Sequence, residues 1–350
     1  MELHEKIKAL GRLGSHLSEI SKQNSSGLPA SLTKSQKQML DGARQVKDHN
    51  PWFTFDQVLM ALGAIGSQLK EEKIRSWLSR YPELEQERKA IKVGVIMAGN
   101  IPAVGFHDLL CVVLAGHVFI GKPSRKEGGV MQHIASMLID IEPSFKEVLL
   151  FSSGQLQQAD RVIATGSDNT ARYFEYQYRS VPTLIRKNRN GIAILNGQES
   201  SDELDALRTD VFSYYGLGCR NVSKLYLPEN YDLTPLVIAL VEESMDGHGP
   251  YQKNLGYQRA LMSMEKIPFI DTGSILLREH PGIASPIGVL HYEYYHNTDA
   301  LLGALSTQSD QIQCMAGKYG KGAVAFGQTQ YPELWDYADH IDTLRFLTAG

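Results

Sequence analysis

Apolar residues recur at helical spacing through the first part of the chain. Leu3, Ile7, Leu10, Leu13 and Leu17 mark one face, and Phe55, Val58, Leu59, Leu62 and Ile65 mark another. Asn50-Pro51-Trp52-Phe53-Thr54 reads as a turn feeding the later helix, with Asp56 strengthening its first turn. Ser21 to Ser35, rich in Ser, Gly, Asn and Pro, reads as a loop. Residues 1–88 are therefore expected to form an N-terminal helical segment.

From residue 91 the period shortens. Lys92–Met97 is a strand pattern ending in Ala98-Gly99-Asn100-Ile101-Pro102, and a helix is expected from about Pro102 until Gly116 closes it. A second strand, His117–Gly121, leads into Lys122-Pro123-Ser124-Arg125. Strand, glycine turn, helix and strand make a βαβ unit, hence a parallel sheet with a right-handed crossover. Strand patterns follow at 148–151, 161–164, 183–186 and 192–195, and Thr165–Thr170 caps a helix running to about Tyr178. Beyond Cys219 come a strand at 223–228, a helix near 233–245, strands near 274–278 and at 288–295, and a helix near 298–306. Gly322–Phe326 reads as a late strand. This alternation predicts an α/β fold of two parallel-sheet lobes changing over near residue 210. The expected domains are 89–210, 211–321 and a small C-terminal element at 322–350.

Composition narrows the class without naming a function. With 43% hydrophobic and 21% charged residues, the chain is ordinary globular protein. A net charge of −4 with scattered basic residues gives no reason to expect nucleic acid as a partner. The polar, acid-containing start is no secretory signal, and Leu109–Gly121, broken by His117, is too short to span a bilayer. No membrane span is expected. Three cysteines with no C-x-x-C pair argue against a disulfide framework or a zinc site and suit a cytoplasmic protein. His291 and His296 fall on opposite strand faces, which argues against a metal, and His248 reads as a loop histidine.

Cys219 is the candidate for chemistry. In Tyr214-Tyr215-Gly216-Leu217-Gly218-Cys219-Arg220-Asn221 it stands at a glycine-rich junction before a strand, where a thiol is exposed as a nucleophile. Cys111 lies in an apolar helical run and reads as core, while no glycine loop leads into Cys314. Three glycine turns stand at strand ends: Gly99-Asn100, Gly121-Lys122-Pro123-Ser124 and Thr165-Gly166-Ser167. Ligands of open α/β sheets bind beyond such ends, and Lys122, Ser124 and Arg125 supply donors of the kind a nucleotide phosphate takes.

Taken in order, Gly94-Val95-Ile96…Asn100-Ile101-Pro102, Ala115-Gly116-His117…Lys122-Pro123-Ser124, Thr165-Gly166-Ser167 and Gly218-Cys219 resemble the aldehyde dehydrogenase superfamily over roughly residues 90–330. The Leu217-Gly218-Cys219 context and the ending from Gly322 to Leu347 resemble its fatty acyl-CoA reductases (LuxC type). The resemblance implies an aldehyde dehydrogenase-like fold with a small oligomerisation element at the C-terminus, and a homo-oligomer. It implies that Cys219 carries the acyl group as a thioester, and that Asn100 with the Cys219 backbone N–H forms the oxyanion hole. Lys122 and Ser124 would meet the adenosine ribose and its phosphate, and Gly166 and Ser167 the diphosphate or nicotinamide. Arg125 joins Lys122 and Ser124 in a cluster that suits the 2′-phosphate of NADPH. Glu127 is the nearest carboxylate and would suit the 2′-hydroxyl of NADH instead.

Two departures from the superfamily stand out. The stretch matching its Glu-bearing E-L-G-G segment reads Leu184–Gly191 and has no carboxylate, and Ala284–Val289 replaces its E-x-F-G-P. The expected function is reduction of an acyl-CoA or acyl-protein thioester to an aldehyde. The alternatives are CoA-acylating oxidation of a short aldehyde with NAD and a non-catalytic acyl-binding scaffold.

Overall fold

Four helices open the chain: α1 (Leu3–Ile20), α2 (Lys34–His49), α3 (Phe55–Gln68) and α4 (Glu71–Leu78). They are seen in a computed structural model, which describes residues 1–23, 32–86, 88–156, 158–166 and 168–349. Most of the loop expected at Ser21–Ser35 lies outside the described residues. The helical spacing works as a packing code: Leu10, Leu13, Leu17, Val58 and Leu62 are all buried in one core.

The first sheet follows as β1 (Lys92–Ile96), α5 (Phe106–Leu114), β2 (Val118–Lys122), α6 (Val130–Ile141), β3 (Leu149–Phe151), β4 (Arg161–Thr165), α7 (Asp168–Gln177) and β5 (Thr183–Arg186). Its order is β3-β2-β1-β4-β5, and every pairing is parallel. β1 is central because Val93–Ile96 is apolar on both faces, as a strand covered on both sides must be. α5 starts at Phe106 and not at Pro102. Ala103 is left-handed at φ 55°, so the chain turns once more before a helix can propagate.

The second sheet contains β6 (Asn190–Ile194), α8 (Ser201–Phe212), β7 (Val222–Pro228), α9 (Leu233–Ala239), α10 (Gly249–Met264), β8 (Ile270–Asp271), β9 (Leu276–Glu279), β10 (Val289–Tyr295), α11 (Thr298–Ser306) and β11 (Ile312–Gly317). The order is β11-β6-β7-β10-β9-β8, parallel except for the β8–β9 edge pair. The chain divides into two compact units, Met1–Lys187 with Glu333–Gly350, and Asn188–Pro332. The changeover expected near 210 thus falls at Lys187/Asn188, because β6 pairs with β7 and β11 of the second unit.

Gly322–Phe326 is not a strand. Only Val324 makes a bridge, to Ala316. Residues 322–332 stay with the second unit, and the rest returns to the first. There α12 (Thr343–Thr348) packs on α5 and buries Leu344 and Leu347. Its last carbonyls accept from Arg88 Nη1 (Thr348 O, 2.9 Å), His117 Nε2 (Leu347 O, 3.1 Å) and Arg161 (Phe346 O and Ala349 O). Of the tail read as an oligomerisation element, Leu344 and Leu347 pack inside their own unit, Phe346 is half-buried and Arg345 is exposed. Among the described residues no helix is long and apolar enough to cross a membrane.

Candidate functional site

The Cys219 segment begins where α8 ends. Tyr214 (φ 50°, ψ 26°), Tyr215 (φ 56°, ψ 30°) and Gly216 (φ 76°) form three successive left-handed residues. For the two tyrosines this costs roughly 1–2 kcal/mol each. Packing offsets it. Tyr214 is buried, and the Tyr215 ring lies flat on His248, with centroids 3.6 Å apart and planes 10° from parallel. His248 stands in the loop just before α10, as the sequence suggests. It is buried at the N-cap of α10, and its Nδ1 accepts from Tyr251 N at 3.2 Å.

A tight turn follows, in which Asn221 N donates to Gly218 O at 3.0 Å. Cys219 is its second residue, half-buried, and β7 starts at Val222. The flanking contacts come from distant parts of the second unit. Cys314 Sγ on β11 donates to Arg220 O at 3.6 Å. Arg220 Nε donates to Thr329 O, and the Asp210 carboxylate accepts from Gly327 N (2.6 Å), Thr329 N (3.0 Å) and Thr329 Oγ1 (2.7 Å). Burial pushes the Asp210 carboxyl up, against the pull of these donors and of Arg220. Gly191 on β6 has room for nothing larger, since a Cβ there would lie 2.6 Å from Asn221 O and 2.7 Å from Arg220 O.

Behind the turn a polar row crosses the sheet, with His291 in register with Lys224 on one side and Arg278 on the other. Lys224 is fully buried and pairs with Glu293 at 2.9 Å. Burial holds His291 down to about 4, so the ring is neutral, bonded through Nδ1 to Gly282 O at 2.9 Å.

In the first unit the chain order of the sheet reverses at β1. From β1 it runs one way to β2 and β3 and the other way to β4 and β5. In open α/β sheets the crevice beyond such a reversal is where ligands bind. The turns that leave the three central strands carry Gly99-Asn100, Lys122-Pro123-Ser124-Arg125 and Gly166. Two of them touch: a Cβ on Gly99 would lie 2.4 Å from Ser124 Oγ. Asn100 and Lys122 are half-buried, and Arg125 is exposed. Ser124 Oγ accepts from Lys126 N at 3.3 Å. Ser167 lies outside the described residues.

Glu127 is turned away from this edge. It is buried, accepts from Met131 N at 2.7 Å at the start of α6, and is raised to about 8 by desolvation. Arg186, in the stretch without a carboxylate, forms a buried bidentate pair with Asp108 (2.7 and 2.8 Å) and bonds to Thr343 Oγ1 at 2.8 Å. The candidate residues thus fall into two groups, Cys219 in the second unit and Asn100, Lys122, Ser124, Arg125 and Gly166 in the first. Sequence reasoning missed Asn221, Gly191 and the His248–Tyr215 stack. For Gly191 the signal was a glycine directly before the strand pattern at 192–195.

No curated protein matches the chain. Solved structures do, at identities that speak for the fold alone. An oxidoreductase from Marinobacter aquaeolei has a TM-score of 0.64 at 10% identity, over 90% of this chain and 73% of its own. A mutant aldehyde dehydrogenase C from Pseudomonas syringae, solved with NAD+ and octanal, scores 0.63 at 10% identity, over 92% and 73%. An NAD-dependent aldehyde dehydrogenase from Sinorhizobium meliloti scores 0.62 at 12% identity, over 90% and 70%. The fold is that of the aldehyde dehydrogenases. A family model for acyl-CoA reductase (LuxC) matches residues 2–241, a span that contains every candidate residue named above. The chain belongs to the LuxC family of acyl-CoA reductases, and it is an oxidoreductase.

Proposed function

We propose that the protein reduces a fatty acyl-CoA thioester to the aldehyde with NADPH, through an acyl group carried on Cys219. The observation that carries this reading is the mount of the thiol, a half-buried Cys219 in a closed turn at the mouth of β7, within the family match. The sulfur bonds to the acyl carbon, and the carbonyl oxygen takes up the negative charge. CoA then departs as its thiol, carrying the proton that Cys219 gave up, and the carbonyl re-forms. This reading assigns the Cys219 backbone N–H as a donor to the oxyanion.

The donor set at the first sheet suits a phosphate-bearing dinucleotide. An ammonium, a hydroxyl and a guanidinium stand at the reversal point, and the neighbouring carboxylate faces its own helix. Lys122, Ser124 and Arg125 would hold the ribose and its 2′-phosphate, and Gly166 with Ser167 the diphosphate or nicotinamide. When bound, NADPH would supply the hydride that releases the aldehyde, leaving Cys219 as the thiolate, which takes a proton from solvent to return to the thiol. Residues 184–191 offer water no carboxylate, and Arg186 there is committed to Asp108. General-base help is commonly worth about 10²–10⁴-fold, so hydrolysis of the acyl-enzyme should be slow.

The test is to load the enzyme from radiolabelled octanoyl-CoA or hexadecanoyl-CoA, remove excess substrate, and follow label release with and without NADPH. A stable adduct on Cys219, discharged to aldehyde by NADPH, supports the reading. Free acid appearing as fast as aldehyde would sink it.

A further inference from the structure

We infer that Asn221 is the residue that positions the Cys219 thiol. This rests on Cys219 being the acyl acceptor, and it identifies what holds that group in place. The Asn221 side chain is buried, and one planar amide serves two ends of the same segment. Its Oδ1 accepts from Gly218 N at 2.8 Å, while its own backbone N donates to Gly218 O at 3.0 Å. The turn that contains Cys219 and Arg220 is therefore closed twice.

Its Nδ2 reaches the other way, to Asp210 O (3.1 Å), Val211 O (3.2 Å) and Ser213 O (2.7 Å). These carbonyls stand at the end of α8, where the last turn of a helix lacks backbone donors of its own. The chain turns left-handed just beyond them, at Tyr214–Gly216. The side chain thus satisfies the helix end, secures the strained turn and fixes the nucleophile turn. An aspartate there could accept from Gly218 but not donate to the carbonyls. From the opposite side Gly191 N donates to Asn221 O at 3.0 Å, and the missing Cβ of Gly191 lets β6 press against Arg220 O and Asn221 O.

Asn221→Ala and Asn221→Asp in the full chain should slow single-turnover acylation of Cys219 by octanoyl-CoA or hexadecanoyl-CoA by about 100-fold, as a misplacement near 1 Å does. The KM for acyl-CoA should stay near that of the parent. Labelling of Cys219 by iodoacetamide, a small reagent with loose directional needs, should keep the parent's rate. A merely structural role would instead move labelling together with acylation. Gly191→Ala, which pushes the same turn with Asn221 intact, should give the same split and decides the matter if the Asn221 variants do not fold. Acylation at the parent's rate in folded Asn221→Ala overturns the assignment. If the parent itself takes up no acyl group, the thioester reading fails, and the clamp is then judged by hydrogen exchange. Loss of protection at the Gly218 amide in Asn221→Ala upholds it, and unchanged protection overturns it.

Discussion

Around Lys122 the side chains that cap the backbone come from near neighbours in sequence, though Met97 N donates to Lys122 O and Gly99 presses on Ser124. Ser124 caps the residues just after it, and Glu127 takes the first N–H groups of the helix that follows. Around Cys219 some of the partners come from much farther away: Gly191 on β6, Cys314 on β11 and Thr329 after it. The first region is local turn chemistry set on a sheet edge. The second is a strained turn that tertiary packing must hold. A site made of local turns should survive single changes with graded losses in binding. A site held by distant clamps should fail in geometry before it fails in stability.

The largest expected effect separates the nucleophile from the other thiols. Cys219→Ala should abolish the acyl adduct and lower aldehyde formation by roughly 10⁴–10⁶-fold, as loss of a covalent nucleophile does. Cys111→Ala, at a fully buried position on α5, should keep activity and lower only the melting temperature. Mass spectrometry of the acylated protein decides between them, and an adduct on Cys314 alone would reverse the roles.

Next comes a stability test confined to the first unit. Arg186→Ala leaves Asp108 buried and uncompensated, which should cost about 3–5 kcal/mol in urea unfolding. Iodoacetamide labelling of Cys219 under native conditions should be unaffected. Loss of both together would mean that the two regions do not behave as separate designs.

The pH dependence should then run in opposite directions in the two units. Glu127 has its carboxyl raised from 4.5 to about 8, so its contribution to stability is full below pH 4.5 and fades as pH rises to 8. His291 is lowered from 6.5 to about 4, so its contribution is full above pH 6.5 and is lost as pH falls to 4. The His291 effect is on the order of 3 kcal/mol at its limit. Glu127→Gln should flatten the alkaline side of a melting-temperature profile, and His291→Gln the acid side. An unchanged profile in either variant removes that residue as the cause.

The smallest effect sharpens the cofactor edge. Lys122→Ala should weaken NADPH by about tenfold more than NADH, in line with one charged hydrogen bond of ~1.5–3 kcal/mol. Equal losses, measured by fluorescence titration, would move the 2′-phosphate away from Lys122.

The amino-acid sequence by itself determined the periodic elements and the punctuation between them. The helical N-terminal segment, the β1–α5–β2 crossover and the glycine turns at strand ends were legible because each is a pattern among near neighbours. The same locality placed Cys219 at a junction before a strand. What the sequence left open needed partners far along the chain. Gly322–Phe326 has a strand's composition, yet only Val324 finds a bridge, whereas Ile312–Gly317 pairs with β6 through a bulge between Ile312 and Cys314. In the apolar tail read as an interface, Leu344 and Leu347 are buried against α5 and the carbonyls are bound by Arg88, His117 and Arg161, while Phe346 is half-buried and Arg345 exposed. Asn221 looks like any turn asparagine until the end of α8 is brought beside it. Spacing encodes which face is apolar, but only the packed chain decides which surface, or which carbonyl, that face will meet.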